Sequence, residues 1–247
     1  MNMHQKRAER LREAAISEIK AIARQQMAEQ GQAALSLGAI ARAMGMTTPA
    51  LYRYFESRDA LITELIIEAY QTLTIALEQA DAAAPSDDYA GRFRVLARAY
   101  RDWAVAHPHE YTLIYGTPIP GYHAPRERTV PVAARVLLAF GMLFKAAWEA
   151  GCLRIPAAYT TMSPELRETA VQLMSDLSRD VHAPELLLTT LTVRGLLHSL
   201  VWAELYGHFP PGVTESGELY NLEVTAISAR LGLAGHSGQA PKKTREK

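Results

Sequence analysis

The 247 residues carry 26 Lys and Arg against 26 Asp and Glu and are 49% hydrophobic, which excludes a disordered chain and supplies apolar mass for one large or two modest cores. The single cysteine, Cys152, excludes an internal disulfide framework; in the run GCLRI it reads as a small helix-end residue of a chain suited to a reducing compartment. No apolar run approaches the roughly 18 residues of a membrane span, and the opening MNMHQKRAERLRE is polar rather than signal-like, so a cytoplasmic, membrane-free protein is expected.

In chain order, residues 1–6 read as a loose arm without a role of its own, the alternative being a minor-groove or phosphate contact by Lys6, Arg7 or Arg10. A helix follows over about 7–30, with Ile16, Ile19, Ala23 and Met27 as its inward stripe and Gly31 ending it. Residues 35–55, LSLGAIARAMGMTTPALYRYF, then read as two short helices joined by a tight turn. The first opens near Ser36 and places Leu37, Ile40, Ala41 and Met44 on one face. Gly45 stops it by taking the left-handed conformation of a sharp exit, and Met46 tucks back. Thr47 or Thr48 caps the second, over residues 49–54, with Pro49 in its first turn, where a missing N–H is harmless. Spacing alone leaves open a tight αα-corner inside an all-helical protein.

Charge distribution favours the alternative, a pair of helices built to meet a duplex. Residues 1–60 hold nine basic against six acidic residues, and the stretch from Gly235 holds four against one. The central body is therefore acidic, and a basic head on an acidic body is the pattern of a DNA-binding domain joined to one that does not bind DNA. In a helix-turn-helix the second helix enters the major groove while hydroxyl and basic groups around it hold phosphates.

The run AEQG (Ala28 to Gly31), LSLGAIARAMGM and TTPALYRYFESRDALI resembles the DNA-binding domain of TetR-family transcriptional regulators. Two positions depart from the family pattern: Arg58 stands where a lysine is usual, and Met27 where an aromatic residue is common. The resemblance implies that Thr47, Tyr52, Tyr54 and Arg58 hold phosphates, that Thr48, Pro49, Ala50 and Arg53 approach base edges, and that Ser36 belongs to the same surface.

Ser57 is placed to cap a long helix to about residue 83, with Leu61, Leu65, Ala69 and Leu73 recurring along it. Its N-terminus, with Arg58, is a candidate anion site. DAAAPSDD, residues 81–88, reads as the linker. The domains expected are 1–60 for DNA binding, with the connecting helix to about 83, then 84–234 for effector binding and dimerisation, and a disordered basic tail over 235–247. Further helices are expected at 89–106, 110–115, 132–150, 163–179, 185–206 and 215–231, with the four prolines and two glycines of 116–131 excluding regular structure there. The fold expected is all-α, without strands or repeats.

The body concentrates amphipathic aromatic and imidazole groups: Tyr100, Trp103, His107, Tyr111, Tyr115, Trp148, His198 and Trp202, with Phe144 among the apolar ones. Any one of them suits an ordinary core; together they are read as walls and polar tips of a small-molecule pocket. LARAYRDWAVAHPHEYTLIYGTPIPGY and TVRGLLHSLVWAELYGH resemble the C-terminal domain of a TetR subgroup named for a Trp-His-Gly motif, of which His198 remains while the tryptophan is replaced around Val193 to Gly195 and Ser199 stands for glycine. That resemblance implies effector binding and dimerisation. Independently, residues 185–206 are apolar nearly all round, more than one internal face needs. Leu188, Leu196 and Leu200, with Leu222 and Ile227 of the last helix, are therefore candidates for a two-fold four-helix interface.

The expected function is a homodimeric, ligand-responsive transcriptional regulator, a repressor that binds a palindromic operator in double-stranded DNA and is released by a small hydrophobic or aromatic effector. An effector-independent DNA-binding protein is the alternative within that class. An enzyme is disfavoured: His198 and Ser199 are helix neighbours projecting about 100° apart, so with Glu204 they cannot form a triad, and His107 and His109 lack a third metal ligand. No cofactor and no metal are expected.

Overall fold

The computed structural model describes residues 3–177, 183–210, 212–213 and 217–233. Its elements are α1 (Met3–Gln30), a 3-10 turn (Gln32–Ala34), α2 (Leu37–Ala43), α3 (Thr48–Leu51), α4 (Arg58–Ala82), α5 (Tyr89–Ala106), α6 (Pro108–Tyr115), α7 (Arg126–Glu149), a second 3-10 turn (Ala157–Thr161), α8 (Pro164–Leu177), α9 (Pro184–Leu205) and α10 (Glu218–Arg230). Among the described residues there is no strand, and the protein is all-α. The expected tail 235–247, the end of the 163–179 helix and the start of the last helix at 215 lie outside the described residues.

Local signals set most helix ends. Ser57 accepts the Ala60 N–H at 3.0 Å and Ser163 accepts that of Leu166 at 3.2 Å, so each hydroxyl satisfies a donor of a first turn that has no intrahelical partner. Gly151 turns left-handed after α7, and Cys152 N–H then reaches back to Ala147 O at 2.7 Å, which makes the cysteine the helix-end residue its context implies.

Three expectations are corrected. Residues 3–6 are the first turn of α1, not a loose arm, since nothing in MHQK breaks a helix. Residues 126–131 are helical: α7 contains Pro131 in its second turn, where the ring removes one donor, that which would bond residue 127, and the helix continues through the loss. Among the described residues three helices, α4, α7 and α9, are long and apolar enough to cross a membrane by length and composition, although none was expected to be. Half of the α4 window is nevertheless buried within the protein.

The described residues divide into two compact units, 3–72 with 106–133, and 73–105 with those from 134 to 233 that are described. α4 thus gives its first part to one unit and its last to the other. In the first, Ile19, Ile40, Leu51, Leu61 and Leu65 form a core that also takes in Leu113 of α6 and Ile119 beyond it. Charge and hydroxyl contacts hold that later segment in place. Arg24 of α1 pairs with Glu68 at 2.7 Å and lies 3.6 Å from Glu110, Thr63 and Tyr122 share a hydrogen bond of 2.9 Å, and Arg128 pairs with Glu64. These long-range contacts bring residues 106–133 to the first unit, a join that composition does not record.

In the second unit α5 is the central element. Phe93 packs on Phe144 of α7 with ring centres 5.7 Å apart, Tyr220 of α10 donates to Ala97 O at 2.8 Å, and Arg101 Nε donates to Glu204 of α9 at 2.8 Å. Arg92 clasps Asp81 at 2.8 and 2.9 Å, tying the end of α4 to the start of α5.

Candidate nucleic-acid interface

α2 and α3 are built as the local sequence predicts. Ser36 is the N-cap of α2, its Oγ accepting the Ala39 N–H at 3.4 Å, and Leu37, Ile40 and Ala41 face the core. Gly45 has φ 66°, a conformation that would strain any residue with a Cβ, and Met46 N–H then bonds Ala41 O at 2.9 Å while its side chain packs on the core. Thr47 holds the N-cap position of α3, but its hydroxyl makes no capping bond, in contrast to the expected Thr47 or Thr48 cap. α3 itself is a single turn, Thr48–Leu51, shorter than the 49–54 anticipated; the backbone continues through Arg53 and Tyr54 in turns closed on Ala50 and Leu51 carbonyls.

Such a short helix has one anchor. Leu51 is fully buried, while Thr47, Pro49, Tyr52 and Arg53 are exposed, Tyr52 at 51%, and Thr48, Ala50 and Tyr54 are half-buried. The outward side is not packed into the core, and it carries hydroxyls, a guanidinium and an aliphatic corner, groups of the kind that meet phosphates and base edges.

Two arginines fix the reading element rather than extend it. Arg12 of α1 lies over the Tyr54 ring at 5.6 Å and donates to Arg53 O at 3.3 Å, tying the turn after α3 to the first helix. Sequence periodicity gave no signal for this contact, since it joins residues 41 apart. Arg58, expected on a phosphate, donates from Nε to Leu35 O at 2.9 Å and from Nη2 to Gln32 O and Ala33 O at 3.3 Å. It thereby holds the entry to α2 against the start of α4.

The ligand candidates are divided between the two compact units. Tyr111 and Tyr115, with ring centres 5.2 Å apart, and the exposed His107 belong to the first unit. Tyr100, Trp103, Phe144, Trp148, His198 and Trp202 belong to the second. There Tyr100, Trp103 and Phe144 are buried, and Tyr100 Oη lies 3.3 Å from His198 Nδ1. Burial, and secondarily the charge of Arg194, hold the His198 pKa below its ordinary 6.5. Trp148 and Trp202 are exposed, Trp202 stacking on His208 at 4.6 Å. Ser199 Oγ donates to Gly195 O at 2.8 Å.

Of the dimer candidates, Leu196 and Leu222 are exposed at 44% and 60%, and Leu188 and Leu200 are half-buried. Ile227 is corrected: at 3% exposure it packs inside its own chain, because α10 turns that face inward with Val224 and Leu231.

A capped helix, a left-handed glycine exit and a one-turn helix anchored only at Leu51 define a helix-turn-helix DNA-binding protein. Residues 19–65 match the family of bacterial regulatory proteins, tetR family, and residues 93–227 match the tetracyclin repressor-like C-terminal domain. The chain belongs to the TetR family of transcriptional regulators. It is similar to the HTH-type transcriptional regulator Rv1816 of Mycobacterium tuberculosis (strain H37Rv), 42% identical over 144 residues that span 58% of this chain and 62% of the relative. The HTH-type transcriptional regulator of Mycobacterium bovis named Mb1846 matches to the same extent. Among solved structures, the crystal structure of SCO4313 superposes with a TM-score of 0.69 at 36% identity, covering 90% of this chain and 98% of that one. The TetR-family regulator PfmR of Thermus thermophilus shares the fold at a TM-score of 0.56 and 19% identity, covering 85% and 96%.

Proposed function

We propose that the protein is a cytoplasmic, homodimeric repressor that occupies a palindromic operator and leaves it when a small hydrophobic or aromatic molecule enters the C-terminal body. The observation that carries this reading is the outward face of α3 and its flanks, Thr47, Pro49, Tyr52 and Arg53, exposed on a helix whose only core anchor is Leu51. On DNA, Thr47 and the Tyr52 and Tyr54 hydroxyls hold phosphates, while Thr48, Pro49, Ala50 and Arg53 meet base edges, the proline and alanine touching thymine methyls. Ser36 lies beside them at the start of α2. Arg58 acts from behind, through the α2 entry it braces.

Dimerisation is supported by apolar side chains left uncovered on α9 and α10, Leu196 and Leu222 being exposed and Leu188 and Leu200 half-buried. Two-fold pairing sets the two recognition elements about 34 Å apart or a multiple of it, which is what a palindrome requires. Effector control is supported by the continuity of α4, which gives residues 58–72 to the first unit and 73–82 to the second, so repacking of the body reaches Arg58 along one helix. The expected coupling is about 1–3 kcal/mol, a factor of about 5 to 150 in operator affinity.

Selection of bound sequences from a random DNA pool, repeated with candidate ligands, tests the reading. Enriched palindromes lost on ligand addition support it; a pool without sequence preference, or enriched single half-sites, refutes it.

A further inference from the structure

Arg194 sits in the middle of α9, one turn before His198, in the stretch where the Trp-His-Gly pattern is lost. Its Nε is buried and has no hydrogen-bond partner among the described residues. Arg194 as a whole is half-buried, but an N–H donor withdrawn from water and left unsatisfied is costly and calls for an explanation such as an anion that completes it. The carboxylates of its own helix do not complete it: Glu185 is engaged by Arg167 at 2.7 Å and Glu204 by Arg101 at 2.8 Å.

One turn along α9 from Arg194 begins a cluster of polar and aromatic groups shared with α5. His198, one turn along, is half-buried and lies 3.3 Å from the hydroxyl of Tyr100, which is 1% exposed. Trp103, one turn from Tyr100 on α5, is buried as well. Desolvation and Arg194 both disfavour the protonated imidazole, so the cluster combines one fixed positive charge with neutral polar groups and aromatic walls. A guanidinium presents a planar fork of donors that matches the two oxygens of a carboxylate.

We infer that Arg194, with the His198–Tyr100 pair beside it, anchors the carboxylate of a small organic acid in the C-terminal body. This rests on the ligand-released reading above and narrows it from a hydrophobic or aromatic molecule to an acidic one, whose apolar part lies against the aromatic side chains of α5.

The test uses the full chain with two probes of one shape, benzoate and the uncharged benzamide, followed by tryptophan fluorescence and by the NMR titration of His198. Benzoate should saturate the protein at least about tenfold more tightly than benzamide, as hydrogen bonds to a charged group require. Bound benzoate should also raise the His198 pKa by offsetting the Arg194 charge. Arg194→Gln should abolish both effects and Arg194→Lys retain part of them. Arg194→Met controls for folding and should melt no lower than the parent, because the charge serves a ligand and not the core. Equal binding of the two probes, no saturable binding of benzoate, benzoate binding that survives Arg194→Gln, or a lower melting point for Arg194→Met each overturns the inference. Operator release separates the two readings. Benzoate that binds through Arg194 yet leaves operator affinity unchanged refutes release while the anchor stands. A neutral ligand that releases operator from parent and Arg194→Gln alike, together with no saturable binding of benzoate, supports release and refutes the anchor.

Discussion

Replacing Arg58 by alanine removes three contacts at once, the Nε bond to Leu35 O at 2.9 Å and the Nη2 contacts to Gln32 O and Ala33 O at 3.3 Å. The first is short and leaves an acceptor on a residue only 3% exposed, which places it near the lower end of charged hydrogen bonds, about 1.5 kcal/mol. The two longer contacts share one nitrogen and add about 1 kcal/mol together. The pair with Asp59, at 3.7 Å on a half-exposed carboxylate, adds little. A loss of about 2–3 kcal/mol lowers the melting temperature by about 5–10 °C in a protein of this size. Because the entry to α2 loosens, operator affinity should fall too. The slope of log affinity against log salt should nevertheless stay as in the parent, since no phosphate contact is lost. Circular dichroism melts and fluorescence anisotropy over a salt series check both. A slope reduced by about one unit with an unchanged melt refutes the brace and returns Arg58 to a phosphate.

Arg53→Ala should relax sequence preference by about 1–3 kcal/mol at the bases it meets, read in the random-pool selection; equal loss on all operators refutes base contact. Leu51→Ala, which empties the only core anchor of α3, should cost about 2–5 kcal/mol and raise amide exchange in residues 47–54; an unchanged exchange pattern contradicts the anchor. Leu196→Glu should yield monomers in sedimentation, and an intact dimer removes the proposed α9 interface. The His198 pKa is lowered in the folded state, so the unfolded chain takes up a proton first as pH falls below about 6.5. The neutral ring's contribution to stability is therefore complete above that value and is lost on acidification; His198→Gln should flatten the stability profile between pH 7 and 5, and an unchanged profile refutes the assignment.

The sequence by itself determined what depends on neighbours along the chain. Ser36 and Ser57 cap, Gly45 turns left-handed with Met46 folding back, and α5 spans the residues its apolar spacing predicts, because each of these is a contest among groups within about five residues. The helix-turn-helix was legible for the same reason, since its chemistry is concentrated in one short run. Only the tertiary structure decided which side chains are left over once distant segments have packed. Arg58 and Arg12 brace carbonyls instead of facing outward, and Leu113 and Ile119 join the core of the first unit. Ile227 is buried at home, and Arg194 Nε is left without a partner among the described residues. A guanidinium or an isoleucine reads alike in the sequence whether it meets a carbonyl, a core or solvent; what it meets is set by residues tens of positions away, and no local pattern records them.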